Sequence, residues 1–206
     1  MAAAIARPFA FEFLAKVSQA ERNVVAAATG EMWRRHILQN HGRDSYDFSH
    51  GQIRAVVYAD LGPARRYFLH LRIAEELKHL NAAGPNPESA QIAWHYEQAG
   101  AVLDAISHYH DAAKVVLSRY ADSEAIHYLS KALSLLEGVP PSRERDRIEL
   151  ALFISVGSSL ITTKGYASPE VGRVYTQARL PSRQAGDTPE GAIIGSLTRK
   201  RCLGGD

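Results

Sequence analysis

The sequence predicts a mainly α-helical chain, with a small mixed unit first and stacked helical hairpins after it. Three observations carry this reading. Apolar residues recur at helical spacing almost throughout, and one short run, Tyr46 to Phe48, alternates as a strand does. A small–large–small pattern also repeats in the second half. The 206 residues, 46% hydrophobic and 22% charged, suffice for one ordinary domain or two small ones and exclude a disordered chain.

In the first half, Pro8 followed by Phe9, Phe11, Phe13 and Leu14 predicts a short helix opening after a proline turn. Ser18 is the expected N-cap of the next helix, with Glu21 completing a capping box. Val24, Val25, Ala28, Met32 and Trp33 give that helix its apolar stripe and carry it towards Leu38. The cluster Asn40 to Asp44 reads as a turn. Tyr46 and Phe48, alternating with Asp47 and Ser49, mark the one strand expected. Ile53, Val56, Val57 and Leu61 form one face of a helix that stops at Gly62 and Pro63. A longer helix from Ala64 carries Leu69, Ile73, Leu77 and Leu80. Helix, helix, short strand, helix, helix is the outline of a small winged-helix-like domain over residues 1–80.

Residues 81–87 (NAAGPNP) read as a linker, because two prolines and a glycine cannot continue a helix. Beyond it lies the repeat. Ala105-Ile106, Tyr109 and Ala112 recur as Ala125-Ile126, Leu129 and Ala132, and again as Val171, Tyr175 and Ala178. Each copy follows a turn-like site: Gly100, Tyr120 to Ser123, and Gly165 to Pro169. Small residues let helices approach closely while the larger one between them fills the gap, as the packing seam of a stacked hairpin requires. Val156-Gly157 with Leu160 reads as the first helix of the last hairpin. The copies are unevenly spaced, but together they span close to twice the ~34 residues of a tetratricopeptide unit. Tetratricopeptide-like repeats are therefore expected over 88–190, with an irregular tail over 191–206.

The absences narrow the chemistry. No glycine–lysine pair occurs, so no phosphate-cradling P-loop is encoded, and GSSLITTKG at 157–165 has the wrong order for one. G-x-S-x-G, G-x-G-x-x-G and H-E-x-x-H are missing as well. Among nine histidines, His108 and His110 sit about 200° apart around a helix and cannot share a metal. Glu75 and Glu76 are adjacent and diverge. The single cysteine, Cys202, excludes an internal disulfide and a thiolate cage, and a reducing cytoplasm is the expected compartment. No run of about 18 apolar residues is present. The net charge of +2 does not by itself imply nucleic acid or an anionic membrane. Arg34, Arg35 and His36, and the tail residues Arg199, Lys200 and Arg201, read as solvated basic groups. No metal, no cofactor and no catalytic residue is expected.

One string is sharper. Residues 46–74, YDFSHGQIRAVVYADLGPARRYFLHLRIA, resemble the segment that closes the nucleotide-binding region of bacterial STAND-class signalling ATPases, including those fused to adenylate/guanylate cyclase or transcriptional-activator domains. Phe48, Ser49, His50, Ile53, Arg54, Val57, Tyr58, Leu61, Ala64, Arg65, Arg66, Leu69, His70, Ile73 and Ala74 carry the match. AIARPFAFEFLA at 4–15 resembles the opening of that family's winged-helix domain, and AWHYEQAG at 93–100 and GYASPEV at 165–171 its tetratricopeptide-type region. The family's ATPase core would lie ahead of residue 1, and its repeats would run past residue 190, whereas GAIIGSLTRKRCLGGD matches no repeat. The resemblance implies that His50 senses bound nucleotide, with Arg54 beside it. Arg54, Arg65 and Arg66 read either as complementing phosphate or the ATPase core, or as a solvated helix end. His70 reads as packing.

Two functional readings follow. The first is a non-catalytic regulatory portion of a signal-transduction ATPase, relaying nucleotide state and binding protein partners or effectors through its helical repeats. The second is a winged-helix DNA-binding transcriptional regulator with a helical dimerisation region. The near-neutral charge favours the first.

Overall fold

The chain opens with α1 (Ala2–Ile5), whose four residues are all buried, and closes it at Ala6 in the left-handed conformation. A computed structural model describes residues 1–42, 44–81 and 84–185, the side chains of 179–185 apart. The expected tail, with Arg199 to Arg201 and Cys202, lies outside the described residues. Among these residues the fold is mainly helical, with one small three-stranded sheet. Contacts divide the chain into two units, Met1–Ala82 with Trp94–Ala101 and Ala83–Ala93 with Val102–Asp206.

In the first unit, β1 (Phe9–Ala10) leads into α2 (Phe11–Ser18) and α3 (Arg22–Arg34), followed by β2 (Leu38–Asn40) and β3 (Ser45–Phe48). The strands are antiparallel in the order β1-β3-β2, with Phe9 opposite Tyr46 and Leu38 opposite Phe48. Phe9, Leu38 and Phe48 are buried from this sheet. Three strands therefore replace the one expected. The helix expected from Phe9 begins at Phe11, and the helix expected to reach Leu38 stops at Arg34. A strand of two or three residues has no periodicity of its own to read. It exists because β3 supplies its hydrogen-bonding partner.

The capping box is corrected too. Ser18 ends α2 rather than opening α3, and its hydroxyl donates back to the Ala15 carbonyl at 2.8 Å. Gln19 then turns through a left-handed conformation, and Glu21 stands at the N-cap of α3 without a side-chain cap. Local hydrogen bonding by a serine competes with its capping role.

α4 (Gly51–Ala59) and α5 (Pro63–Leu80) follow. Leu69, Ile73 and Leu77 of α5 are buried as their spacing predicts, but Leu80 is 53% exposed. The apolar stripe of α4 is not core: none of its residues is buried, and Val56 is 70% exposed. Periodicity tells which residues share a face, not what covers it. Pro63 starts α5 at its first turn, where its missing N–H costs no hydrogen bond.

The second unit is helical. α6 (Ser89–Gln98) is divided between the units, its residues from Trp94 onward belonging to the first, and α7 (Val102–Leu117), α8 (Asp122–Leu136), α9 (Arg143–Lys164) and α10 (Pro169–Ala185) belong to the second. Each of α7 to α10 packs on the next in chain order. The connections at 118–121, 137–142 and 165–168 are short, as helical hairpins require. Gly100, Tyr120 and Gly165 take positive φ at the breaks. α9 has a side-chain cap, Ser142 accepting from the Arg145 N–H at 3.1 Å, with Glu144 and Asp146 in its first turn.

Candidate functional site

β3 delivers His50 to the start of α4. His50 has extended backbone and forms the N-cap with no side-chain capping bond, and its ring is exposed. Its carbonyl accepts from the N–H groups of Ile53 and Arg54. The imidazole therefore stands free at a helix N-terminus, where exposed N–H groups favour an anion. Arg54 is engaged elsewhere: its guanidinium donates to the Ala6 carbonyl at 2.8 Å and so closes α1 against α4. The two residues singled out from the resemblance thus share an element but face different tasks. Arg66 likewise donates to the Ala59 carbonyl at 2.7 Å and lies over the Tyr58 ring, 4.8 Å from its centroid.

Behind this junction runs a chain of rings that spacing alone did not reveal. The Tyr58 hydroxyl lies 2.8 Å from His70 Nε2, and His70 Nδ1 lies 2.8 Å from His95 Nδ1. Trp94 packs edge-on against both imidazoles. His70 and His95 are fully buried, and His95 Nε2 has no hydrogen-bond partner. Each bond uses one proton, so the chain runs in one of two directions. Tyr58 donates to His70, which donates to His95; or His95 donates to His70, which donates to Tyr58. Nε2 of His95 ends the chain in both. Burial lowers the His70 pKa to about 4, helped by Arg66. It lowers that of His95 to about 3, helped by His70 and Arg7. Both rings are therefore neutral near pH 7. His70 is packing, as expected, but also a hydrogen-bonding link. His95 went unnoticed because its partner is 25 residues away; its position in the aromatic triplet Trp94-His95-Tyr96 was the available signal.

The repeat residues lie in the second unit. Ala105, Tyr109 and Ala112 on α7, Ala125, Leu129 and Ala132 on α8, and Val171, Tyr175 and Ala178 on α10 are all buried. Tyr109 stacks on Tyr128 with centroids 6.2 Å apart, and Lys131 lies over the Tyr109 ring. Gly157 of α9 faces Tyr175: a β-carbon there would stand 2.6 Å from the Tyr175 Cζ. Ser155, Ser159, Thr162 and Thr163 of α9 each donate to the carbonyl four residues back. Because the Ser155 proton is used on Ala151, His110 Nε2 carries its own proton and donates to Ser155 Oγ at 3.0 Å. Burial and Lys114 lower the His110 pKa, with Asp111 opposing them. Among the described residues no group of three metal-ligating side chains converges, and no helix is long and apolar enough to cross a membrane.

No family model matches the chain, and no solved structure does. The chain is similar to an uncharacterized protein of Rhizobium meliloti (strain 1021), 29% identical over 137 residues. The match covers 66% of this chain and 13% of that protein. The chain therefore spans only a small part of the length of the curated relative it matches.

Proposed function

We propose that the chain is the non-catalytic regulatory portion of a cytoplasmic STAND-class signalling ATPase. In this reading residues 1–80 are a winged-helix relay, and residues 88–190 are tetratricopeptide-like repeats that bind a protein partner or effector. The observation that carries it is the junction at which the central strand of the β1-β3-β2 sheet hands an exposed His50 to the N-terminus of α4. The order helix–strand–helix–helix–strand–strand supports a winged helix. The α7–α8 pair runs from Val102 to Leu136, close to the ~34 residues of one tetratricopeptide unit. The small alanines between them support close hairpin stacking. The exposed Val56, Val57 and Phe68 of α4 and α5 supply an apolar face on which an ATPase core would dock.

The test fuses a STAND-class ATPase core ahead of residue 1 and follows release of ADP. One charge-assisted hydrogen bond from His50 is worth roughly 1.5–3 kcal/mol, so His50→Ala accelerates release by about 10- to 150-fold. An unchanged release rate rejects the sensing role. The DNA-binding reading shares the same topology, but the basic groups of α3 are internally paired. Arg34 and Arg35 both bridge to Glu31, at 2.9 and 2.6 Å, and Arg22 bridges to Glu12. Duplex binding that falls steeply with added salt is the result that favours this second reading.

A further inference from the structure

A cleft of about 480 Å³ opens in the first unit between α2, α3 and the sheet, lined by Phe11, Thr29, Gly30, Trp33, Asn40 and Tyr46 among others. Its volume lies in the range of small-molecule sites. Three aromatic rings come to it from three different elements: the start of α2, the last turn of α3 and the central strand. None of its lining residues is charged. The nearby Arg22 is occupied, lying over Phe11 and bridging to Glu12.

Two features mark the cleft as more than a packing gap. Thr29 is 3% exposed, yet its hydroxyl has no hydrogen-bond partner. Helical threonines commonly return that proton to the carbonyl four residues back, as Thr163 and Thr176 do here. Gly30 sits in the middle of α3, where alanine is the better helix former. A β-carbon at Gly30 would meet nothing within 4 Å, so no close packing explains the glycine. It keeps the wall of the cleft open instead.

We propose that this cleft binds an uncharged planar heterocycle with a hydrogen-bonding edge, of the nucleobase or nicotinamide kind. Aromatic faces favour a flat ring by offset or edge-on stacking, and the half-exposed Trp33 presents such a face. The Asn40 amide offers one acceptor and two donors to a ring edge, and the Thr29 hydroxyl offers a further donor. A neutral lining gives a phosphate or carboxylate nothing to pair with, which distinguishes this site from the His50 junction. The proposal is independent of the regulatory reading above.

The test is titration of the ¹⁵N-labelled full chain with adenine and with nicotinamide, following the Trp33 indole N–H, identified by its loss in Trp33→Phe. Adenosine monophosphate serves as the charged control. The expected result is a dissociation constant of about 1 mM or better for at least one ring, with the phosphate adding no affinity. Gly30→Leu fills the cleft and weakens binding at least about tenfold while circular dichroism stays unchanged. Gly30→Ala, which adds one methyl to a helix that favours it, weakens binding less and decides the matter if the leucine variant misfolds. No shift of the Trp33 signal at about 10 mM of either ring overturns the proposal. Wild-type affinity in both folded Gly30 variants, or binding strengthened by the phosphate, does the same.

Discussion

His70 and His95 are the residues whose chemistry departs furthest from that of the free side chain. Both are buried bases with lowered pKa, so the unfolded chain takes up protons that the folded chain refuses. Stability is then fully present above about pH 6.5 and falls as pH drops through that value. The loss continues to about pH 4 for His70 and about pH 3 for His95. Each histidine contributes a slope of at most about 1.4 kcal/mol per pH unit, and His110 adds in the same direction. Urea unfolding at about pH 7.5, 5.5 and 4.5 measures it; a flat profile contradicts the buried neutral pair. Gly157 makes a second residue-scale prediction. Gly157→Ala drives a methyl into the Tyr175 ring and costs about 1–3 kcal/mol of stability. Tyr175→Leu is also destabilising alone, but the double variant loses less than the sum, a coupling that a double-mutant cycle reads directly.

At the scale of elements, the hairpin seam depends on side-chain size. Ala132 is fully buried against the core of α7 to α10. Ala132→Leu therefore overpacks the seam and costs about 1–3 kcal/mol, read as a lowered thermal midpoint. Ala112 has the same place in the pattern but borders a recess of about 150 Å³. Ala112→Leu is accordingly the milder of the two. Equal midpoints for Ala132→Leu and wild type contradict the seam. The buried alanines were legible because three helices, α7, α8 and α10, carry the same offsets. The α4 stripe was equally legible, yet Val56 and Val57 are exposed and Ile53 and Leu61 only half-buried, because an apolar face has the same spacing whether or not it is covered. The strands β1 and β2 were not legible at all, since their only reason to exist is a partner elsewhere in the chain.

For the whole molecule, the regulatory reading requires that the chain by itself binds no nucleotide tightly. A micromolar complex needs about 8 kcal/mol, and one charge-assisted bond from His50 supplies roughly 1.5–3 kcal/mol of it. Calorimetric titration of the chain with magnesium and ADP or ATP is expected to show no micromolar binding. A micromolar affinity that disappears in His50→Ala places a nucleotide site within residues 1–206 and overturns this division of labour.

Helical character was determined by the sequence itself, because a 3.6-residue apolar period is a local property that any reader of the chain can count. So were the small residues at fixed offsets on α7, α8 and α10, which are buried. Only the tertiary structure decided the three-stranded sheet, the diversion of Arg54 to the end of α1, and the meeting of Tyr58, His70 and His95. Hydrogen bonds and ring contacts between residues 12 to 48 positions apart leave no period in the sequence. They form only where packing has already brought their elements together.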